Sequence, residues 1–198
     1  VRWEIALHTV TGVACVSSDV RHLVLGSVSV QEPAAAISWA AGGTDPSGRS
    51  AAVENWKKDV AKIDKGFVNG EAVWAATGLE DCAWKTMKVP GLMQEQGLEG
   101  FNGIVWFRKT IDIPANWTDK ELTLNVGVID DNDFTYFNGV QVGHTEGWMA
   151  PRSYKIPKEL VKGGKAVIAV RVMDTGGTGG INGSPESISL HRSETDAV

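Results

Sequence analysis

The chain has 198 residues, a formal net charge of −5 and an isoelectric point near 5.4. This length corresponds to one medium domain, or one domain with a smaller appendage, and is enough to bury a core without metal or disulfide support. The acidic balance and the scattered lysines and arginines argue against binding to nucleic acid or to an anionic membrane surface. The most apolar stretch, near residue 20, is too polar to predict a membrane span. Cys15 and Cys82 have no metal-ligand spacing, so one disulfide and two free thiols both remain open.

Residues 1–49 predict an N-terminal arm whose structure the pattern leaves open. Short β-branched runs in residues 1–37 indicate one or two strands or an irregular arm, and the Gly/Pro/Ser-rich stretch WAAGGTDPSGRS at 39–50 is typical of a boundary.

Residues 50–66 predict an amphipathic helix and linker. Ser50 suits the N-cap and Gly66 suits the C-terminal stop. Apolar residues recur at steps of three, four and three, which is the spacing of one helix face: Val53, Trp56, Val60 and Ile63.

Residues 67–198 predict an antiparallel β-sandwich, so the chain as a whole is expected to be all-β with one helix. VWFRKTIDIP and LTLNVGV alternate between apolar and polar residues, with two predicted buried sets: Val105, Phe107, Ile111 and Ile113, then Leu122, Leu124, Val126 and Val128. The pair Asn138-Gly139 predicts a type I′ turn inside the hairpin DFTYFNGVQVG. AVIAVRVMD and SISLH add two strands, and short strands separated by turns favour a sandwich over βαβ units.

The stretch IDDNDFTYFNG at 129–139 contains three acids: Asp130, Asp131 and Asp133. A calcium-binding loop started at Asp131 would need glycine at its sixth position and glutamate at its twelfth, where Tyr136 and Val142 stand. Because neighbouring side chains on an extended strand point to opposite faces, Asp130 and Asp131 are not expected to form a catalytic pair. A solvated turn and a contact with sugar hydroxyls or a partner domain both remain open.

The segment HTEGWMAPRSY at 144–154 combines Glu146, Trp148 and Arg152. An exposed indole beside a carboxylate and a guanidinium is typical of pyranose recognition, because the ring stacks on the sugar while the polar groups bind hydroxyls. The alternative is that Trp148 plugs one end of the sandwich and Arg152 pairs with an aspartate such as Asp131.

A glycine-rich loop, TGGTGGING at 175–183, follows Asp174 and could bring backbone amides close to a ligand or be only a surface loop. Arg171 alternates with valines and is predicted on the wetter face of its strand. Trp84, Trp106 and Trp117 are predicted to pack in the core or at its edge. No metal site and no cofactor are expected.

Several runs together resemble one known module. They are W-x-x-M-x-V-P-G-L at 84–92, GIVWFRKTIDIP, LNVGVIDDNDFTYFNGVQVG and APRSYKIPKELVKGGKAVIAVRVMD. Over residues 72–191 the order of these runs resembles the sugar-binding jelly-roll (galactose-binding-like) domain of family-two glycoside hydrolases such as β-galactosidase and β-glucuronidase. The ending MDTGGTGGINGSPESISL is most similar to the version inserted in bacterial sialate O-acetylesterases. The resemblance implies a jelly-roll sandwich, a secreted or periplasmic protein and a catalytic hydrolase domain as partner.

The catalytic motifs of those enzymes have no match in the sequence. His191 lacks an aspartate three residues before it, Ser184 lies in a Gly-Ser-Pro turn, and no (β/α) series follows. We therefore expect a non-catalytic module that binds carbohydrate weakly, with candidate contacts from eight residues: Asp130, Asp131, Asp133, Asn138, Glu146, Trp148, Arg152 and Asp174. Two alternatives stay open. The chain could itself hydrolyse a glycoside or an acetyl ester through such carboxylates, or it could be a purely structural domain of its parent enzyme.

Overall fold

The computed structural model describes residues 3–6, 23–27, 46–82 and 84–193. One helix, α1 (Pro46–Lys62), precedes most of the strands. The strands are β1 (Trp3–Ala6), β2 (Leu23–Ser27), β3 (Thr86–Val89), β4 (Gly91–Leu92), β5 (Gly103–Ile113), β6 (Leu122–Asp130), β7 (Asn132–Phe137), β8 (Val140–Thr145), β9 (Pro151–Ile156), β10 (Gly164–Asp174), β11 (Gly180–Asn182) and β12 (Ile188–Arg192). Single 3₁₀ turns lie at Val73–Ala75, Gln94–Gln96, Ala115–Trp117, Lys158–Leu160 and Pro185–Ser187.

Two antiparallel sheets form the predicted sandwich. The first sheet has the order β2-β5-β10-β7-β8. The second has the order β12-β6-β11-β4, with β9 paired to the other side of β6. Strand β1 pairs with β3 in a separate two-stranded ladder. In the part of the chain that the structure describes, no helix is long and apolar enough to cross a membrane.

The main core lies between the two sheets and contains the residues that the alternating patterns predicted. Val105, Phe107 and Ile113 of β5 are buried there, as are Leu122, Leu124 and Val126 of β6, while Ile111 is partly buried against them. The hairpin is also confirmed. Asn138 and Gly139 have φ values of 49° and 83°, and β7 and β8 pair on either side of them.

Beyond Val126 the alternation of β6 changes, and the prediction that Val128 is buried is wrong. A register shift against β9 lies between Asn125 and Gly127, and Gly127 has a φ of +70°. After this bulge Ile129 is fully buried in the core and Val128 is only half-buried. The extra residue therefore sets which face each side chain takes as β6 approaches Asp130.

The outer face of the first sheet is covered by α1 and the segment that follows it. Trp106 is fully buried there and packs with Tyr136 and with Val60 of α1. Buried Asp64 accepts hydrogen bonds from the Trp106 indole at 2.9 Å and from the Arg171 guanidinium at 2.6 Å. The prediction that Arg171 lies on a wet face is therefore wrong, because the covering segment removes that face from solvent and supplies its counter-charge.

The helix differs from its prediction at both ends. It begins at Pro46, four residues before Ser50, because the fixed φ of proline suits the first helical turn. It ends at Lys62, so Ile63 lies beyond the helix and is 49% exposed. Val60 is buried and Trp56 is half-buried, which confirms the predicted face for these two residues.

The structure describes only parts of the N-terminal arm. Two strands of it, β1 and β2, are described, and they pair with β3 and β5. Most of the 39–50 boundary lies outside the described residues, as does Cys15. The thiol of Cys82 is free and exposed.

Candidate functional site

The turn from β6 to β7 gives its three aspartates different positions. Asp130 is the last residue of β6, Asp131 lies at the bend, and Asp133 belongs to β7. Because the chain bends there, Asp130 and Asp131 do not point to opposite faces as an extended strand would require. Their side chains are hydrogen-bonded to each other, which corrects the prediction from strand geometry.

Asp133 is buried in a polar network inside the sandwich. Its carboxylate accepts a hydrogen bond from Arg152 Nε at 2.9 Å, and both of its oxygens lie 2.9 Å from the Tyr154 hydroxyl. Thr135 Oγ1 donates to it at 2.7 Å. The side chains of Asp133 and Arg152 are both 0% exposed. Direct contact between either one and a sugar would require this ion pair to separate.

The Arg152 guanidinium also fixes the loop between β8 and β9, residues 145–150. Its Nη1 donates to Gly147 O at 2.8 Å and to Ala150 O, and its Nη2 donates to Asp131 O at 2.8 Å. From the other side, Gly147 N donates to Asn132 Oδ1 at 3.0 Å. These bonds attach the 145–150 loop to the β6–β7 turn, so the two move as one unit.

The tip of the 145–150 loop exposes two large apolar side chains. Trp148 is 59% exposed and Met149 is 69% exposed. Glu146 is also exposed, and its carboxylate lies 3.7 Å from His144 Nε2. The structure therefore does not place Trp148 as a plug at the end of the sandwich. Its indole is free to stack against a ligand.

Asp130, Asp131 and Asp174 form a group that we term the carboxylate cluster. Asp131 Oδ2 accepts hydrogen bonds from the backbone N–H of Thr175, at 2.8 Å, and from its hydroxyl. Asp174 accepts from Gly176 N and from Gln94 Nε2, each at 2.9 Å. These bonds bring the start of the glycine-rich loop to the β6–β7 turn. They also leave Asp130, whose side chain contacts only Asp131, as the least committed acid of the cluster.

Burial and mutual repulsion perturb the acids of this cluster. Burial, the hydrogen bond with Asp131 and the charges of Asp131 and Asp174 together raise the pKa of Asp130 to about 7. Burial likewise raises the pKa of Asp174 to about 6, although the bonds from Gly176 and Gln94 oppose this shift. Near neutral pH the half-buried Asp130 therefore exchanges between a hydrogen-bond donor and an anionic acceptor.

Asn138 lies apart from the other candidates. Its Oδ1 accepts from Val167 N at 2.9 Å and its Nδ2 donates to Leu160 O at 3.1 Å. It follows the C-terminal end of β7, whereas Asp131 precedes the N-terminal end, so a strand length of roughly 20 Å separates them. Its position in the structure is that of a turn residue braced against two neighbouring segments.

Three residues at the site were not among the sequence candidates: Asn132, Gln94 and Thr175. Gln94 is 80 residues from its partner Asp174, and no local pattern connects them. Asn132 and Thr175 each adjoin a candidate, so their proximity was visible in sequence although their bonding was not.

Two other kinds of site can be placed relative to these residues. Among the described residues, no group of three or more His, Cys, Asp or Glu side chains is arranged to hold a metal ion. A hollow of about 500 Å³ lies between the β7–β8 hairpin and the segment after α1. Its lining includes Phe67, Glu71, Val73, Tyr136 and Gln141, and none of the eight candidate residues.

Comparison with solved structures finds the same fold inside much larger proteins. A calcium-binding mutant of Bacteroides uniformis beta-glucuronidase 2 matches with a TM-score of 0.51 and 20% identity, over 61% of this chain and 16% of that one. The same Bacteroides uniformis enzyme bound to cyclophellitol-6-carboxylate aziridine matches with a TM-score of 0.50 and 21% identity, over 60% and 15%. A beta-glucuronidase from an uncultured Clostridium has 26% identity and a TM-score of 0.44, over 50% and 18%. No protein-family model and no curated protein matches the chain.

These matches show that the β-sandwich has the fold of a segment of beta-glucuronidases. The chain spans less than a fifth of the length of each of these three proteins. The resemblance to the module of sialate O-acetylesterases stays a prediction.

Proposed function

We propose that this chain is a carbohydrate-binding β-sandwich of a carbohydrate-active hydrolase, and that it binds sugar without catalysing a reaction. The observation that carries the proposal is the exposed Trp148, held on a hydrogen-bonded loop beside the carboxylate cluster. A pyranose could stack its C–H face on the indole while Asp130 and Glu146 bind its hydroxyls. Asp133 and Arg152 would position this surface from beneath, without touching the sugar.

The proposed partner is a catalytic hydrolase domain, in a glycosidase of the family-two type or a sialate O-acetylesterase. Support comes from the shared fold with a segment of beta-glucuronidases, of which this chain matches only a small part. The module would then shape or complete the sugar site of its neighbour. The purely structural alternative predicts no sugar binding by the chain itself.

The hydrogen bonding of the acids favours binding over catalysis. Glycoside hydrolysis needs two carboxyl groups flanking the bond, one of them free to act as base or nucleophile. Here Asp133 is paired with Arg152, and Asp131 and Asp174 accept bonds from the loop that follows β10. One observation favours an enzyme, namely the raised pKa of Asp130, which is what a general acid requires. We therefore retain catalysis as the second candidate.

Replacing Trp148 tests the binding proposal. We expect Trp148→Ala to weaken binding of methyl glycosides at least about tenfold, or ~1.4 kcal/mol, because the stacking surface is lost. Its thermal stability should stay within roughly 0.5 kcal/mol of the parent, since the side chain is mostly exposed. The measurement is a binding titration followed by NMR, with thermal denaturation in parallel.

Met149→Ala is the matched control, because Met149 is at least as exposed as Trp148 and lies on the same loop. Unchanged binding by Trp148→Ala would refute the stacking role. The same preparations should be assayed on chromogenic glucuronides, galactosides and acetyl esters. Turnover that Asp130→Asn abolishes would establish the enzyme instead.

A further inference from the structure

The proposed sugar site carries negative charge on more than one side. Asp130, Asp131 and Asp174 form the carboxylate cluster, and Glu146 lies on the 145–150 loop that exposes Trp148. Whatever binds at this site approaches several acids. The inference below rests on the proposed function and asks which charge class of sugar the site accepts.

The cation nearest to this surface has no capacity left for a ligand. A guanidinium has five N–H donors. In Arg152, Nε donates to Asp133, Nη1 to Gly147 O and Ala150 O, and Nη2 to Asp131 O and Thr145 O. All five are therefore used within the protein, and the side chain is fully buried. Arg152 cannot form the bidentate pair that normally recognises a sugar carboxylate.

The other nearby group that can carry positive charge is also engaged. His144 stacks on Phe134, with ring centroids 4.1 Å apart, and its Nδ1 lies 2.6 Å from Asp133 O. Its Nε2 faces the Glu146 carboxylate. A ligand carboxylate at this position would compete with Glu146 for the ring and would add a further negative charge.

We infer that the site selects uncharged or positively charged sugars, amino sugars included, and rejects uronates and sialates. Its acids accept hydrogen bonds from hydroxyl or ammonium groups, and no free cation at the site offsets the charge of a ligand carboxylate. Two unit charges about 4 Å apart repel by ~1 kcal/mol in water and by more where solvent is partly excluded. This charge class differs from the one that the name of the similar beta-glucuronidases indicates, so the inference is not borrowed from them.

Charge-matched sugars test the inference directly. The probes are methyl β-D-glucopyranoside, methyl β-D-glucuronide and methyl β-D-glucosaminide, together with the neutral and uronate members of the galactose series. Each is titrated into the whole chain at low salt and about pH 8, above the pKa of about 7 of Asp130, and binding is followed by NMR. We expect each neutral glycoside to bind at least about tenfold more tightly than its uronate. The amino sugar should bind most tightly, with an advantage that added salt reduces.

A pair of variants assigns this preference to the site. Asp130→Asn should narrow the difference between neutral and uronate probes several-fold. Glu121→Gln, which neutralises an exposed carboxylate that pairs with Lys155, should leave the difference unchanged. If the uronates bind as tightly as their neutral counterparts, or more tightly, the inference is overturned while the proposed function stands. If no probe binds, the proposed function fails, and the inference fails with it.

Discussion

Asp130 combines partial burial with two acidic neighbours, and its titration should therefore be visible in the stability of the fold. Its pKa is about 7 in the folded chain and close to 3.8 in the unfolded chain. Between those values the folded chain holds a proton that the unfolded chain has lost, so the free energy of unfolding falls as pH rises through about 4 to 7.

We expect Asp130→Asn to remove this loss. The variant should be more stable than the parent at about pH 8, on the order of 1 kcal/mol after discounting for solvent screening, and should show no such advantage near pH 4. Chemical denaturation across this pH range measures the effect. Asp119→Asn is the control of opposite sign, because the hydrogen bond from Lys162 lowers the pKa of Asp119. A parent whose stability does not fall between pH 4 and 7 would contradict the assignment.

Arg152 holds together the buried network and the exposed loop. Arg152→Ala would leave the Asp133 carboxylate buried without its counter-charge, and we expect it to cost roughly 3–5 kcal/mol of unfolding free energy. Lys155→Ala, which removes a solvent-exposed pair with Glu121, should cost less than about 1 kcal/mol. Denaturant titration compares the two. Similar small losses would mean that Arg152 is not the residue that fixes the loop.

At the level of elements, the bulge in β6 determines where the carboxylate cluster begins. A Cβ at Gly127 would lie 2.3 Å from Asn182 O, in addition to adopting a positive φ. Gly147 also has a positive φ but has open space around it. We expect Gly147→Ala to cost roughly 1–2 kcal/mol for its backbone conformation alone, and Gly127→Ala to cost at least about 2 kcal/mol more. Thermal denaturation of both variants measures the difference, and equal losses would contradict the steric account.

The sequence predicted those elements whose determinants are local. The Asn138-Gly139 turn and the alternating strands were found because a turn pair and a period of two occupy only a few neighbouring residues. The change of face after Gly127 was missed, since a bulge depends on the strand that pairs with it. The helix start was placed four residues late because Ser50, a good N-cap, competed with a proline that suits the first turn.

Contacts between distant residues could not be predicted in the same way. Arg171 was expected in water because its counter-charge, Asp64, lies 107 residues earlier in the chain. Arg152 was offered an aspartate partner, but the choice of Asp133 over Asp131 depends on which side of β7 faces the interior. Of the candidate site, the exposed Trp148 and the grouping of Asp130, Asp131 and Asp174 follow the predicted region, whereas Asn138 lies at the far end of the hairpin.

For the whole molecule, the covering segment is part of the fold and not a detachable linker. Asp64 binds Arg171 and Trp106, and Asp81 binds the buried Arg108, so both charged residues on the outer face of the first sheet depend on residues before β3. This segment also forms one wall of the hollow near Tyr136. The molecule therefore presents two concave or exposed surfaces, and our account assigns carbohydrate to only one of them.

The most direct test of this assignment is chemical-shift mapping of the isotope-labelled chain during titration with methyl β-D-glucopyranoside and methyl β-D-galactopyranoside. The account predicts that the shifts concentrate at the β6–β7 turn, at Gly147–Met149 and around Thr175. Shifts confined to the hollow, at Phe67, Glu71 and Gln141, would contradict it, and so would a spectrum that neither sugar changes.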